Sequence, residues 1–217
     1  MNDQPAGKAK GGVLQWSLWG VGLAGVAAVV YIILASSSQN IAREGSEKAA
    51  KPGAAASLKG LAVGEMAKLE IAANAIPAPD YGFIDAEGKP VRVADFKGKV
   101  VVMNLWATWC APCVTEMPTL AKMAQAYAGK PLVVAPVSID SDSGVEKAKA
   151  FIALNNPLTF YGDPKAHLPF ALSPPAPGMP TTVIYGKDGS ERARLSGAAD
   201  WSGPAARAVL DALLAES

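Results

Sequence analysis

The chain is poor in sulfur and imidazole: two cysteines and one histidine, His167, among 217 residues. That scarcity excludes a structural zinc site of four cysteines, or of two cysteines and two histidines, within one chain. Charge of one sign is also missing, since 20 basic and 19 acidic side chains leave a formal net charge of +1. With no long basic stretch either, nucleic acid is set aside as a partner. Internal repeats are absent. What remains is half hydrophobic and 18% charged, which suits a globular core and argues against a disordered chain.

The two cysteines lie together in Trp106-Ala107-Thr108-Trp109-Cys110-Ala111-Pro112-Cys113. A Cys-x-x-Cys pair after an apolar run and before a helical pattern marks a redox device, and so thiol–disulfide exchange. Cysteines three apart near a helix start share a face and lie within reach of a disulfide. Cys110 falls at or just before the first helical residue, where unpaired N–H groups and the positive end of the dipole favour its thiolate. Pro112 fits the first turn, where a missing N–H costs no helical bond. Cys110 is expected as the exposed attacking thiolate and Cys113 as the shielded thiol that resolves the mixed disulfide. A plain stabilising disulfide is the alternative, but it predicts no particular placement.

Glu116 follows Cys113 by three residues and shares its helix face. A carboxylate there can take the proton of the resolving thiol if burial raises its pKa; otherwise it is a solvated surface glutamate. Pro118, inside the helical pattern, should kink or restart the helix. Gly178-Met179-Pro180-Thr181 precedes a strand. A cis Met179–Pro180 bond beside the dithiol would leave the Met179 backbone free to bond an extended substrate segment, whereas an ordinary strand-edge proline would not. Trp109, Met179 and Pro180 are the candidate substrate-contacting residues.

Val13 to Ala35 contains no charged residue over 23 positions, more than the roughly 20 apolar residues needed to cross a bilayer. Trp16, Trp19 and Tyr31 lie toward its ends, as membrane-interface rings do. The alternative is a cleaved signal peptide ending at Ala35-Ser36-Ser37, whose apolar region would ordinarily be shorter. Lys8 and Lys10 precede the span while Arg43, Lys48 and Lys51 follow it, so the positive-inside rule decides little. A short N-terminal tail with the folded domain beyond the span places that domain outside the cytoplasm, in the periplasm of a Gram-negative cell. The expected organisation is a cytoplasmic tail (1–12), a transmembrane anchor (13–35), a tether and lead-in (36–79) and a folded domain (80–217).

Ser36 to Ser57, rich in Ala, Ser, Gly and Lys, reads as a flexible tether. Leu58 to Ile71 carries a loose helical pattern, and 74–80 is extended. Phe83–Asp85 and Val91–Val93 flank the turn Glu87-Gly88-Lys89-Pro90 as a hairpin. Val100–Leu105 and Leu132–Ile139 are short apolar runs of the kind buried on both faces. Helices are expected over 113–128, 145–154, 166–172 and 201–215, the last capped by Ser202. Strands are expected over 158–161, 181–185 and 192–195. Strands alternating with helices imply a βαβ unit in a mostly parallel core, closed by an antiparallel hairpin.

Asn104 to Leu120 (NLWATWCAPCVTEMPTL), Gly178 to Gly189 (GMPTTVIYGKDG) and Leu195 to Trp201 (LSGAADW) together resemble the membrane-anchored thioredoxin-like proteins of the TlpA type, a group that includes ResA-like and cytochrome c maturation thioredoxins. The resemblance covers residues 81–217. It implies a thioredoxin-like α/β fold with an N-terminal hairpin extension and a central α/β insert, for which residues 140–162 leave room. It also implies that Cys110 is the nucleophile, Cys113 the resolving cysteine, Glu116 the active-site acid and Pro180 the cis-proline. No cofactor beyond the redox-active Cys110–Cys113 disulfide is implied. The implied activity is reduction of disulfides on partner proteins outside the cytoplasm, either assembly factors for the copper site of cytochrome oxidase or apocytochrome c. A membrane electron donor of the DsbD/CcdA type would restore the dithiol. Unlike some relatives, this chain has no additional cysteines to brace the domain.

Three other readings compete. A disulfide-forming oxidase would differ in reduction potential; Ala111-Pro112 adds no cation to stabilise the thiolate, which favours reduction. A copper chaperone would use Cys110 and Cys113 as soft ligands, with His167 as a third. A peroxidase fits poorly, because its nucleophile ordinarily lacks a partner three residues later.

Overall fold

A computed structural model describes residues 52–216. The proposed cytoplasmic tail, the apolar span Val13–Ala35 and most of the tether lie outside the described residues. Among the described residues no helix is long and apolar enough to cross a membrane.

The fold is an eight-stranded sheet in the order β1-β8-β7-β4-β5-β6-β2-β3. At its centre, β4 (Val100–Trp106) runs parallel to β5 (Leu132–Ser138) in unbroken register from Val100↔Leu132 to Trp106↔Ser138. On its other side β4 pairs antiparallel with β7 (Thr181–Tyr185), which pairs antiparallel with β8 (Ser190–Ser196) around a turn where Gly189 adopts φ 83°. That left-handed conformation is one a side chain resists. All seven residues of β4 are buried, as its continuous apolar run requires.

Alternation along β4 divides the core. Val101, Met103 and Leu105 pack with Phe83, Val93, Leu168, Leu172 and Tyr185. Val100, Val102 and Trp106 face the opposite layer, with Met117 and Leu120 of α2 (Ala111–Ala126) and Val209, Leu210 and Leu213 of α5 (Pro204–Ala215). Burial of each such aliphatic side chain contributes about 1.5–3 kcal/mol. By the period of two, Asn104 joins this second face and is its one polar member on β4.

The far edge carries the N-terminal hairpin, β2 (Phe83–Asp85) and β3 (Pro90–Val91), joined to β5 through the short β6 (Tyr161–Gly162). Between β5 and β6 the expected insert holds α3 (Val145–Ala153), and α4 (Leu168–Ala171) follows β6. β3 stops at Val91 because a 3-10 turn takes over at Val93–Phe96.

The N-terminal side departs from expectation. α1 (Pro52–Leu61) starts inside the stretch read as tether; alanine, taken there as a linker residue, is also the best helix former. Leu58–Ile71 is not one helix: α1 gives way to a 3-10 turn at Gly64–Lys68 and then to β1 (Glu70–Pro77), antiparallel to β8. The sheet thus begins upstream of the boundary drawn at residue 80. Pro118 does not restart α2, which runs through it. α5 begins at Pro204 with Gly203 before it and no side-chain cap; Ser202 instead donates its hydroxyl and its N–H to Asp200 Oδ1.

Candidate active site

β4 delivers the chain to the reactive pair, and β5 holds it in place. The N–H of Ile139 donates to the carbonyl of Trp106 at 2.9 Å. Asp140, buried just beyond β5, accepts the Thr108 N–H at 2.9 Å and the Thr108 hydroxyl at 2.8 Å. Ser138 donates a third bond to the same carboxylate at 2.7 Å. Packing around Asp140 is close: a Cβ on Gly144 would lie 2.9 Å from the Asp140 Cβ. The segment carrying Trp109 is therefore pinned from one side and left open on the other, with Trp109 66% exposed.

Cys110 and Cys113 form a disulfide with Cα atoms 5.3 Å apart. Cys110 is the N-cap of α2, and the Cys113 N–H donates to its sulfur at 3.3 Å. The same N–H is placed to stabilise a thiolate there once the disulfide opens. Cys113 is fully buried, as expected of a resolving thiol. Cys110 departs from the expectation of an exposed group, because only 6% of it is accessible; the disulfide draws its sulfur back over the first turn of α2.

Beneath the pair, Glu116 is 3% exposed, so the surface-glutamate alternative does not hold. Its carboxylate accepts three N–H donors: Asn104 Nδ2 at 2.8 Å, the Ala199 backbone at 3.1 Å and Trp201 Nε1 at 3.3 Å. Burial pushes the carboxyl pKa up, and the three donors pull it back in part. Asn104 also donates to Thr182 Oγ1 at 2.9 Å, while its own Oδ1 is buried without a partner among the described residues. Glu116 is thus tied to β4, to β7 and to the loop between β8 and α5.

Met179–Pro180 is a cis peptide. The Pro180 carbonyl accepts the Gly197 N–H at 2.8 Å, and Thr181 Oγ1 donates to the Gly178 carbonyl at 2.7 Å. The main chain of Met179 makes no hydrogen bond among the described residues. The preceding proline-rich loop is anchored by Arg194, which donates to the Pro174 carbonyl from a buried ion pair with Glu191 at 2.8 Å.

His167 stands apart, at the start of α4 with its ring 6.2 Å from that of Tyr81. Among the described residues, no group of three or more His, Cys, Asp or Glu is gathered as metal ligands. Asn104, Asp140, Ala199 and Trp201 were not singled out from the sequence. A polar residue inside an apolar strand was the one available signal, and only Asn104 shows it.

The Redoxin family matches this chain over residues 72–213. The thiol-disulfide oxidoreductase ResA of Geobacillus thermodenitrificans is 29% identical over 121 residues, covering 55% of this chain and 67% of that one. ResA of Bacillus cereus is 31% identical over 115 residues, covering 52% of this chain and 63% of its own, so this chain spans less than two thirds of that relative. Among solved structures, a DsbE-like protein from Chlorobium tepidum superposes with a TM-score of 0.56 at 28% identity, over 64% of this chain and 96% of that one. With its Cys110–Cys113 disulfide at the head of α2, the chain belongs to the Redoxin family, as a thioredoxin-like thiol:disulfide oxidoreductase of the TlpA/ResA type.

Proposed function

We propose that this protein reduces disulfides on specific partner proteins outside the cytoplasm, anchored in the membrane through Val13–Ala35. The observation that carries the direction of proton flow is Glu116, buried one helical turn from Cys113 and held by three donors. In the reduced protein the Cys110 thiolate attacks one sulfur of the partner's disulfide, and the other sulfur leaves as a thiolate. Cys113 then gives its proton to Glu116 and attacks Cys110 Sγ. The Cys110–Cys113 bond forms, the bond from Cys110 to the partner breaks, and the partner departs with two electrons. Trp109 and Met179 frame the approach, with the free main chain of Met179 available to an extended segment of the partner.

The partners proposed are assembly factors for the cytochrome oxidase copper site or apocytochrome c, with a membrane donor of the DsbD/CcdA type restoring the dithiol. Substrate trapping tests this reading. Cys113→Ser should stall mixed disulfides through Cys110, and mass spectrometry would identify the partners. Capture of the same partners by Cys110→Ser would reverse the assigned roles, and a potential near that of strong oxidants would reverse the direction.

A further inference from the structure

Resolving the mixed disulfide sets a problem that rests on the reading above. The partner covers Cys110 while Glu116, whose pKa burial raises, must be free of its proton to serve as the base. A cleft of about 240 Å³ reaches Glu116 from another side. Thr115 and Thr119 of α2 form one wall, Ala198 and Ala199 the other, and the exposed Glu65 and Asp200 stand at the mouth. Trp109, Cys110, Cys113, Met179 and Pro180 take no part in its lining. Water occupies about 30 Å³ per molecule in the liquid, so the cleft has room for several.

The wall groups are already engaged. Thr115 donates its hydroxyl to the Ala111 carbonyl, and Thr119 donates to the Glu116 carbonyl while accepting the Trp201 N–H. Water is therefore the carrier available inside. At the mouth, a Glu65 carboxylate oxygen accepts the Asp200 N–H, tying the 3-10 turn to the loop after β8. No basic side chain lines the cleft; Lys122 and Arg207 act on Asp200 from outside it.

We propose that this cleft is the proton outlet of Glu116, open to solvent while a partner protein covers the disulfide face. The proton lost by Cys113 passes to Glu116 and leaves through cleft water toward Glu65. The departing partner thiolate takes its own proton from bulk solvent, so the exchange balances.

The test separates a route from an equilibrium. Ala198→Leu and, from the opposite wall, Thr115→Leu would fill the cleft while keeping the three donors of the Glu116 carboxylate. Quench-flow oxidation of the reduced full chain by insulin would follow the lifetime of the mixed disulfide. General acid–base assistance contributes about 10²–10⁴-fold, so obstructing its outlet should lengthen that lifetime at least about tenfold. Oxidised glutathione leaves the face open and should show less than about a twofold effect, by the same reasoning. Excluding cleft water would raise the Glu116 pKa further by desolvation, and that change would slow both oxidants alike, so an effect confined to insulin reads the route. The outlet is overturned if neither variant slows resolution by insulin, or if the reaction with oxidised glutathione slows as much. Failure of the reductase reading would show instead in the wild-type protein, as no turnover of insulin at all.

Discussion

Asp140→Ala removes the pin between the end of β5 and the segment that carries Trp109 and Cys110. Three donors lose their acceptor: the Thr108 N–H, the Thr108 hydroxyl and the Ser138 hydroxyl. Hydroxyls can turn to other acceptors, and Thr108 is only half-buried, but the backbone N–H is fixed in direction. A hydrogen bond to a charged group contributes about 1.5–3 kcal/mol. Losing the amide bond in full and the hydroxyl bonds in part gives about 2–4 kcal/mol of destabilisation. For a domain of this size each kcal/mol moves Tm by roughly 2–4 °C, so Tm should fall by roughly 4–16 °C. Asp140→Asn keeps one carbonyl acceptor and should lose about half as much. Thermal and urea unfolding of the oxidised protein would measure both, and hydrogen exchange at the Thr108 amide would locate the change. If that amide stays protected and stability changes by less than about 0.5 kcal/mol, Asp140 does not hold the reactive segment.

Glu116→Gln probes the cost of a buried carboxylate. The folded-state pKa of Glu116 is raised above the ordinary 4.5 by burial. Its contribution to stability is therefore full below that value and is lost as pH rises through the folded pKa, with a slope of at most about 1.4 kcal/mol per pH unit. The Gln variant should lack this loss and gain on wild type as pH climbs; parallel stability–pH curves from urea titrations would contradict the assignment. Arg194→Met strands Glu191 in the core, since the pair is only 4% and 6% exposed. It should cost about 3–5 kcal/mol, while Arg194→Met with Glu191→Leu should recover most of that; an equal loss in single and double variants would deny the coupling. Lys187 donates to the carbonyls of Leu214 and Glu216 at the end of α5, both at 2.7 Å. Lys187→Met should cost about 1 kcal/mol and fray that helix end, which hydrogen exchange at 213–216 would detect.

What could be read from the chain follows how local each signal is. The apolar runs of β4 and β5 and the dithiol at the start of α2 are all written within a few residues, and the sheet centre follows from them. β1 is not. Its burial alternates weakly, with no fully buried residue, and it becomes a strand only because β8, more than a hundred positions later, offers it an edge. α2 passing through Pro118 is likewise a tertiary result: Met117 and Leu120 on either side are fully buried, and that packing outweighs the local penalty. At the site, the spacing of Glu116 placed it near Cys113, but its donors come from β4 and from residues 199 and 201. Chain order gives no hint that these converge.

That convergence bears on why β4 carries an amide rather than a second acid. Asn104 Nδ2 lies 2.8 Å from Glu116 Oε1, and both side chains are almost fully buried. Were the strand residue a carboxyl, two buried acids would face each other within hydrogen-bond distance and could not both ionise, so the pair would hold a proton through much of the neutral range. A neutral donor avoids that coupling and keeps the buried pocket to a single titrating group. In the proposed exchange each resolved disulfide releases one proton from Cys113, and a lone carboxylate matches that stoichiometry. The donors from Ala199 and Trp201 complete the arrangement. They favour the charged form of Glu116 while burial favours the protonated one, opposing pulls that suit the accept-and-release role proposed for it. The proposed base needs both pulls, and its donors come from segments nearly a hundred residues apart, Asn104 on β4 and Ala199 and Trp201 after β8.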